Sequence, residues 1–329
     1  MSVLTGPVVA GGLAFLVAGA LVPLLVKFAV GRSLLDVPNI RSSHEVPTPR
    51  LGGVAIFAGT VVGVAVLRPG GAWPLLLAAA LIWAVGLADD LSNLHFKTKA
   101  AAQALAAAGL ILFYPPPVLS GAPVVLWPVV ALVGVFWIVA LTNAFNFMDG
   151  IDGFTGGVAI VNAFFLIPLA GDSGAFLPAL IGATAGFLVW NISPASMFIG
   201  DSGAYLLGFS LAAVALYAPV TPGGAWTPLG FAAGALVFVP YLFDTAFTLF
   251  RRLRSGAGKS IFLAHREHIY QRITPTADLH RRTSNLYYAA SAVAGLAAFL
   301  VAGGGLGILL GFGVAAALCV ALAALPKVV

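Results

Sequence analysis

Residues 124–157 read VVLWPVVALVGVFWIVALTNAFNFMDGIDGFTGG. Residues 124–142 are almost wholly apolar, and a helix of about 20 such residues spans the ~30 Å hydrocarbon core of a bilayer. The run then ends on Asn143, Asn146, Asp149 and Asp152, three positions apart and set among Phe, Met and Gly. At 3.6 residues per turn these positions drift slowly around one face, so a helix end would present oxygen donors to a shared spot. Amide and carboxylate oxygens suit a hard cation such as Mg2+. The nearby glycines let backbone approach a ligand. Loop folding explains the glycines, but not two amides and two acids flanked by Phe and Met.

The rest of the chain repeats this alternation of apolar run and polar loop. Of 329 residues, 60% are hydrophobic and only 8% charged, and the mean hydropathy is +1.04. A soluble globule needs far more polar surface, near ~25% charged residues. Soluble enzymes and disordered chains are thereby excluded, and one cysteine, Cys319, excludes a disulfide-built scaffold. The expected fold is all-α, a polytopic integral membrane protein of about 11 (10–11) transmembrane helices. The candidate spans are 3–27, 51–67, 72–88, 98–114, 124–142, 154–171, 174–191, 202–218, 229–250, 284–302 and 304–325. The first lacks the basic start of a signal peptide and is followed by Lys27 and Arg32, which reads as an anchor with the N-terminus outside. The inner segments are then 28–50, 89–99, 143–153, 192–201, 251–283 and the C-terminus. All Lys and Arg except Arg68 fall in or beside them, the bias of the positive-inside rule. The net charge of +5 is therefore mostly an orientation signal, not a nucleic-acid footprint. The acids follow the same side except Asp172, so the chemistry collects on the cytoplasmic face. The whole chain, 1–329, reads as one membrane-embedded domain with a substrate-recognition loop at 251–283.

Four further inner loops carry candidate chemistry. Arg41, His44 and Arg50 of the first could meet phosphate, or simply orient a solvated loop. Asp89 and Asp90 close the third span, where adjacent carboxylates require a cation, a lysine or a phosphate's counter-ions. They point in different directions on a helix, so one could bind an ion while the other acts as base or holds a lysine. Asp201, in Gly-Asp-Ser-Gly, is either an N-cap or a site acid. The fifth loop interleaves His265, Arg266, His268 and Arg272, which suits a phosphate-rich ligand. A zinc site is disfavoured there, with no cysteine near and no His-Glu-x-x-His. Asp244 lies inside the ninth span, where an acid is either functional or paired with a neighbouring helix.

Asp89-Asp90, the Asn146 to Asp152 stretch, Gly200-Asp201-Ser202-Gly203 and the His265 to Arg272 loop, in this order and on one face, resemble the polyprenyl-phosphate N-acetylhexosamine-1-phosphate transferases, the MraY/WecA-like family. The likeness runs roughly from Arg41 to Arg272. It implies transfer of an amino-sugar 1-phosphate from a UDP-N-acetylamino sugar to a polyprenyl phosphate lipid, releasing UMP, with Mg2+, or Mn2+ in its place, on the diphosphate. It also implies catalytic roles for Asp89, Asp90 and Asp149, metal ligation by Asn146 and Asp201, and phosphate binding by Lys99. Nucleotide contacts fall to Asp152 and Phe198, and sugar reading to His265, Arg266, His268 and Arg272. The setting it implies is the bacterial inner membrane, with no nucleic acid partner and a homodimer as the common assembly.

The fifth loop departs from the His-x-His-His run of many relatives and reads His265-Arg-Glu-His268-Ile-Tyr270-Gln271. That resembles the branch that starts some O-antigen chains with 6-deoxy amino sugars, with N-acetylglucosamine still open. Two other classes compete. A lipid-linked sugar transporter or flippase would carry ionisable groups at mid-membrane and symmetric broken helices. A structural scaffold would need no acid cluster.

Overall fold

The computed structural model describes residues 5–38, 46–68, 70, 72–120, 123–218, 227–256 and 265–327. Arg41 and His44 of the first inner loop, and residues 257–264 of the fifth, lie outside them. Fourteen α-helices are described: α1 Thr5–Gly31, α2 Gly52–Leu67, α3 Trp73–Ser92, α4 Phe96–Phe113, α5 Pro117–Ser120, α6 Trp127–Phe147, α7 Phe154–Ala170, α8 Leu177–Asn191, α9 Gly200–Tyr217, α10 Pro228–Leu236, α11 Val239–Arg254, α12 Ile269–Arg272, α13 His280–Ala302 and α14 Leu306–Ala324.

Each of the eleven expected segments is helical. Seven helices are long and apolar enough to cross a membrane, or eight if the bent pair α10 and α11 forms one span. The expected count of eleven is thus not reached by length and composition. The reason is local. At 16 and 15 residues, α2 and α8 are short, and α9 starts on Gly-Asp-Ser-Gly. These helices pack mainly on other helices, so lipid does not dictate their length. The expected single span 229–250 is a correction: it breaks after Leu236 and bends by 79° into α11. Pro240 opens α11, where a ring without N–H is tolerated at a helix start but would break a helix interior.

Helix α9 forms the centre. Every residue in it is buried except Asp201, and it packs against α3, α6, α2 and α7. Its crossing with α3 is close enough that a Cβ on Gly86 would stand 2.6 Å from the Ser202 Cα, so only glycine fits there. Peripheral helices expose large apolar side chains instead, such as Leu105, Leu112, Phe113 and Phe136, a surface suited to hydrocarbon. Half-buried indoles of α3 and α6 tie helices together, Trp83 Nε1 donating to the Gly53 carbonyl (3.0 Å) and Trp137 Nε1 to that of Ala212 (2.9 Å).

Two short strands, β1 Leu35–Asp36 and β2 Thr48–Pro49, pair antiparallel, Leu35 opposite Pro49 and Asp36 opposite Thr48. The chain after β2 then zips onto the entry to α9. Phe198 N donates to the Pro49 carbonyl (2.8 Å), Gly52 N to that of Phe198 (3.0 Å) and Gly53 N to that of Ile199 (2.8 Å). This ladder brings the first inner loop to the acids at the ends of α3, α6 and α9.

Candidate active site

Helix α3 ends on the adjacent acids, and the helical period separates them. Asp89 accepts from Lys99 Nζ on α4 at 2.6 Å and from the Leu94 backbone N–H at 2.6 Å. Asp90 turns to α9, where its Oδ1 accepts from Asp201 N (2.7 Å) and its Oδ2 from Ser202 N (3.0 Å) and Ser202 Oγ (2.6 Å). A helix leaves its first N–H groups without intrahelical partners. Here a carboxylate from another helix satisfies two of them. The N-cap reading of Asp201 is corrected accordingly: Asp201 is the second residue of α9, Ile199 stands at the cap position without a side-chain bond, and Asp90 does the capping. Gly200 has φ +72°, and a Cβ there would meet Asp90 Oδ2 at 2.7 Å, so the turn that delivers α9 to Asp90 requires glycine.

Freed from capping, the Asp201 side chain meets Tyr205 and Asp89 and two further groups. Lys99 Nζ stands 3.3 Å from its Oδ2, and Asn146 Nδ2 donates to its Oδ1 at 2.9 Å. Asp89, Lys99, Asp201 and Asn146 therefore form one connected group from α3, α4, α9 and α6.

The Asn143 to Asp152 series does not act on one spot as its spacing predicts. Helix α6 ends at Phe147, and the chain turns through Gly150 and Gly153. Asn143 bonds Gln103 Oε1 (2.6 Å), while Asn146 goes to Asp201. Asp149 is half-buried in the wall of the site. Burial pushes its carboxyl up to about 8, with the negative charges of Asp201, Asp90 and Asp152 adding to the effect. Asp152 takes the opposite course. Burial raises it, but the His280 contact and the Ala195 N–H outweigh burial and hold it below the usual carboxylate range. His280 Nδ1 stands 3.3 Å from both the Asp152 backbone nitrogen and its Oδ2. Asn191, closing α8, accepts from Gly153 N (3.1 Å) and fixes the turn.

The fifth loop rests on one buried acid. Asp244 accepts from Ile269 N (2.8 Å), Tyr270 N (3.0 Å), Tyr287 Oη (2.6 Å) and Thr248 Oγ1 (3.2 Å), with His268 Nδ1 at 3.2 Å. Arg251 and Arg252 both pair with Glu267. His268 is buried against Asp244, His265 stacks on it with ring centroids 5.1 Å apart, and Arg272 is exposed. Burial, then the neighbouring His268 and Arg252, lower the His265 imidazole to about 4.

Two adjoining cavities open over these groups. The larger, about 220 Å3, is bounded by Asp149, Asp152, Phe198 and Asp201, and the fifth loop contributes Arg266, Gln271 and Thr274. The smaller, about 210 Å3, is bounded by Asp89, Asp90, Asn93, Leu94 and Lys99. Arg50 and Asp201 line both. Asp36, Asn191, Gln271 and Thr274 at the larger cavity had no role in the sequence reading. Asn191 was open to notice as a lone amide closing an apolar helix on the polar face. Asp36, Gln271 and Thr274 carried no such signal.

Residues 72–218 match the model of glycosyl transferase family 4. A probable undecaprenyl-phosphate N-acetylglucosaminyl 1-phosphate transferase of Bacillus subtilis is 29% identical over 283 residues, covering 81% of this chain and 76% of its own. The decaprenyl-phosphate N-acetylglucosaminephosphotransferase of Mycobacterium tuberculosis is 32% identical over 291 residues, 76% of this chain and 71% of its own. The undecaprenyl-phosphate alpha-N-acetylglucosaminyl 1-phosphate transferase of Yersinia pestis is 32% identical over 266 residues, 75% and 71%. The family match spans both walls of the acid group, from Asp89 to Asp201. The chain is a multi-pass membrane protein that belongs to glycosyl transferase family 4, among the polyprenyl-phosphate N-acetylhexosamine-1-phosphate transferases.

Proposed function

We propose that this protein transfers an N-acetylated amino-sugar 1-phosphate from a UDP-sugar to undecaprenyl phosphate, giving the lipid diphosphate-sugar and UMP. The observation that carries the reading is Asp201, with Lys99 and Asn146 on its two oxygens, shared by two adjoining cavities. One cavity is walled by the paired acids and a lysine, the other by an aromatic, the 149–152 turn and the fifth loop. That division suits two phosphorylated substrates meeting at one point. The smaller cavity would take the lipid phosphate beside Asp89 and Lys99, and the larger the nucleotide, with Phe198 against the base.

In the step itself, an oxygen of the lipid phosphate bonds to the β-phosphorus. The bond from that phosphorus to the bridging oxygen breaks, and UMP leaves with the electron pair. Phosphoryl transfer of this kind needs positioning and charge neutralisation more than covalent help. Lys99 supplies fixed positive charge, while Asp89 or Asp90 would accept the proton of the incoming phosphate. Direct displacement fits two cavities meeting side by side; a phosphorylated Asp89, Asp90 or Asp149 trapped during turnover would replace it with a two-step path.

The oxygen donors of Asn146 and Asp201 fit Mg2+, and Mn2+ with it. Among the described residues no group of three or more His, Cys, Asp or Glu side chains surrounds one point. Mg2+ is ordinarily held by one or two carboxylates plus substrate phosphates rather than by an all-protein cage. Amide O and N are interchangeable in placement, so the Asn146 oxygen can face the same spot. When bound, the ion neutralises diphosphate charge.

The reading extends to a bacterial inner-membrane enzyme with eleven spans, its N-terminus outside and its cavities on the cytoplasmic side, acting as the first membrane step of a surface glycan. The names of the relatives support N-acetylglucosamine as the sugar; the His-Arg-Glu-His loop supports a 6-deoxy amino sugar of the O-antigen type. Purified protein in undecaprenyl phosphate micelles, given a panel of UDP-sugars, decides between them by mass spectrometry of the lipid products. UMP release with at least one UDP-N-acetylamino sugar, abolished by EDTA and restored by Mg2+, is expected. No UMP release with any of them would leave the flippase reading in its place.

A further inference from the structure

We propose that Arg50 grips the phosphoryl group in transfer, reaching it from the seam between the two cavities; the inference rests on the transferase reading above. Among the described residues, two line both cavities, Arg50 and Asp201. A phosphoryl group crossing from one cavity to the other passes between them. Asp201 is a carboxyl and offers a phosphoryl group no positive charge unless a cation intervenes. Arg50 is the positive member of the pair. The other cations near the site each serve one side: Lys99 lines the smaller cavity and is drawn onto Asp89 and Asp201, and Arg266 lines the larger.

The placement is built by the backbone, not by the side chain. Residues on both sides of Arg50 are bonded to the approach to α9, through Pro49 O to Phe198 N and Gly52 N to Phe198 O. The Arg50 carbonyl packs within 2.8 Å of the position a Gly200 Cβ would take. The side chain is half-buried at the seam. Its planar fork of N–H donors matches two phosphate oxygens at once, which a lysine cannot do. The group it would hold keeps its ester bond to the sugar and carries its negative charge on the two non-bridging oxygens in the transition state, so a guanidinium there acts on the rate as well as on binding.

The test is Arg50→Ala, Arg50→Gln and Arg50→Lys in the full-length protein, assayed for UMP release and lipid-linked product. The expected result is a kcat reduced by about 10²–10³-fold in Ala and Gln, the size of losing one transition-state donor. Lysine should recover part of it, and added guanidinium ion should raise the rate of the alanine variant only. Thermal unfolding should match the parent, because the ladder of residues 49–53 uses no side-chain atom of Arg50. A kcat in Arg50→Ala within about threefold of the parent overturns the inference. So does a loss that neither lysine nor guanidinium recovers, which would mark Arg50 as a structural residue. An inactive parent protein would instead overturn the transferase reading, so the two failures are distinguishable.

Discussion

Asp244 and Asp201 are both carboxylates set into helices of a chain with little charge, and the protein treats them in opposite ways. Asp244 is wholly buried and takes two backbone N–H groups and two hydroxyls, with His268 alongside. Asp201 takes one amide, one ammonium and the Tyr205 hydroxyl, and still opens on two cavities. A carboxylate saturated by protein donors becomes part of the frame. One that keeps an open side keeps capacity for a cation or a phosphate's partner. Residue type is the same in both; what surrounds the oxygens decides the role.

The sharpest way to break this contrast is at Asp201. Asp201→Ala and Asn146→Ala should each reduce kcat by about 10³-fold or more, in keeping with loss of a metal ligand and its charge stabilisation. Both variants should insert and unfold much like the parent in detergent. Near-normal turnover in either would remove it from the site. Asp244→Ala should do the reverse. Stranding several buried donors at about 1–3 kcal/mol each should lower the unfolding temperature clearly, and misplace Arg266 and Gln271. Circular dichroism melts compared with UMP release separate the two patterns, and an Asp244→Ala protein with parental stability would undo the frame assignment.

Asp90 sits between these cases, and its variant sharpens the comparison. As a cap of α9, Asp90→Ala should cost about 1–2 kcal/mol of stability. As a base it should mainly lower kcat. The ratio of melt shift to rate loss tells which role dominates. A smaller effect is expected at His265. Its imidazole is held to about 4 in the folded protein against 6.5 ordinarily, so the unfolded chain binds a proton that the folded one refuses. Stability should therefore be fully present above about pH 6.5 and fall as pH drops toward about 4. In His265→Gln that part of the slope should vanish; an unchanged slope would assign the acid sensitivity elsewhere. Exposure of the ring keeps the effect modest.

The same contrast explains which parts were legible in advance. The apolar runs announced their helices because lipid and core both demand them, and ten of the eleven expected segments appear unbroken. The break at residues 237–238 was missed because 229–250 is apolar throughout in its first part, and hydropathy does not register the restart that Pro240 imposes. The acids announced themselves by rarity. Their division of labour did not: Asp89 and Asp90 are neighbours in sequence, yet one meets Lys99 and the other caps α9. Likewise the threefold spacing of Asn143, Asn146, Asp149 and Asp152 predicts one face, whereas α6 stops at Phe147 and the four side chains part.

From the sequence alone came the all-helical membrane class, the family likeness and the gathering of polar loops on one side, because each depends on local hydrophobicity, spacing and residue order. Only the tertiary structure decided that Asp90 and Asp244 are satisfied by protein donors, that Asp201 stands open between two cavities, and that Arg50 shares that seam. Those facts depend on which helix ends meet in space, and hydrogen-bond partners that come from different helices, up to 112 residues apart, leave no local periodic signal to read.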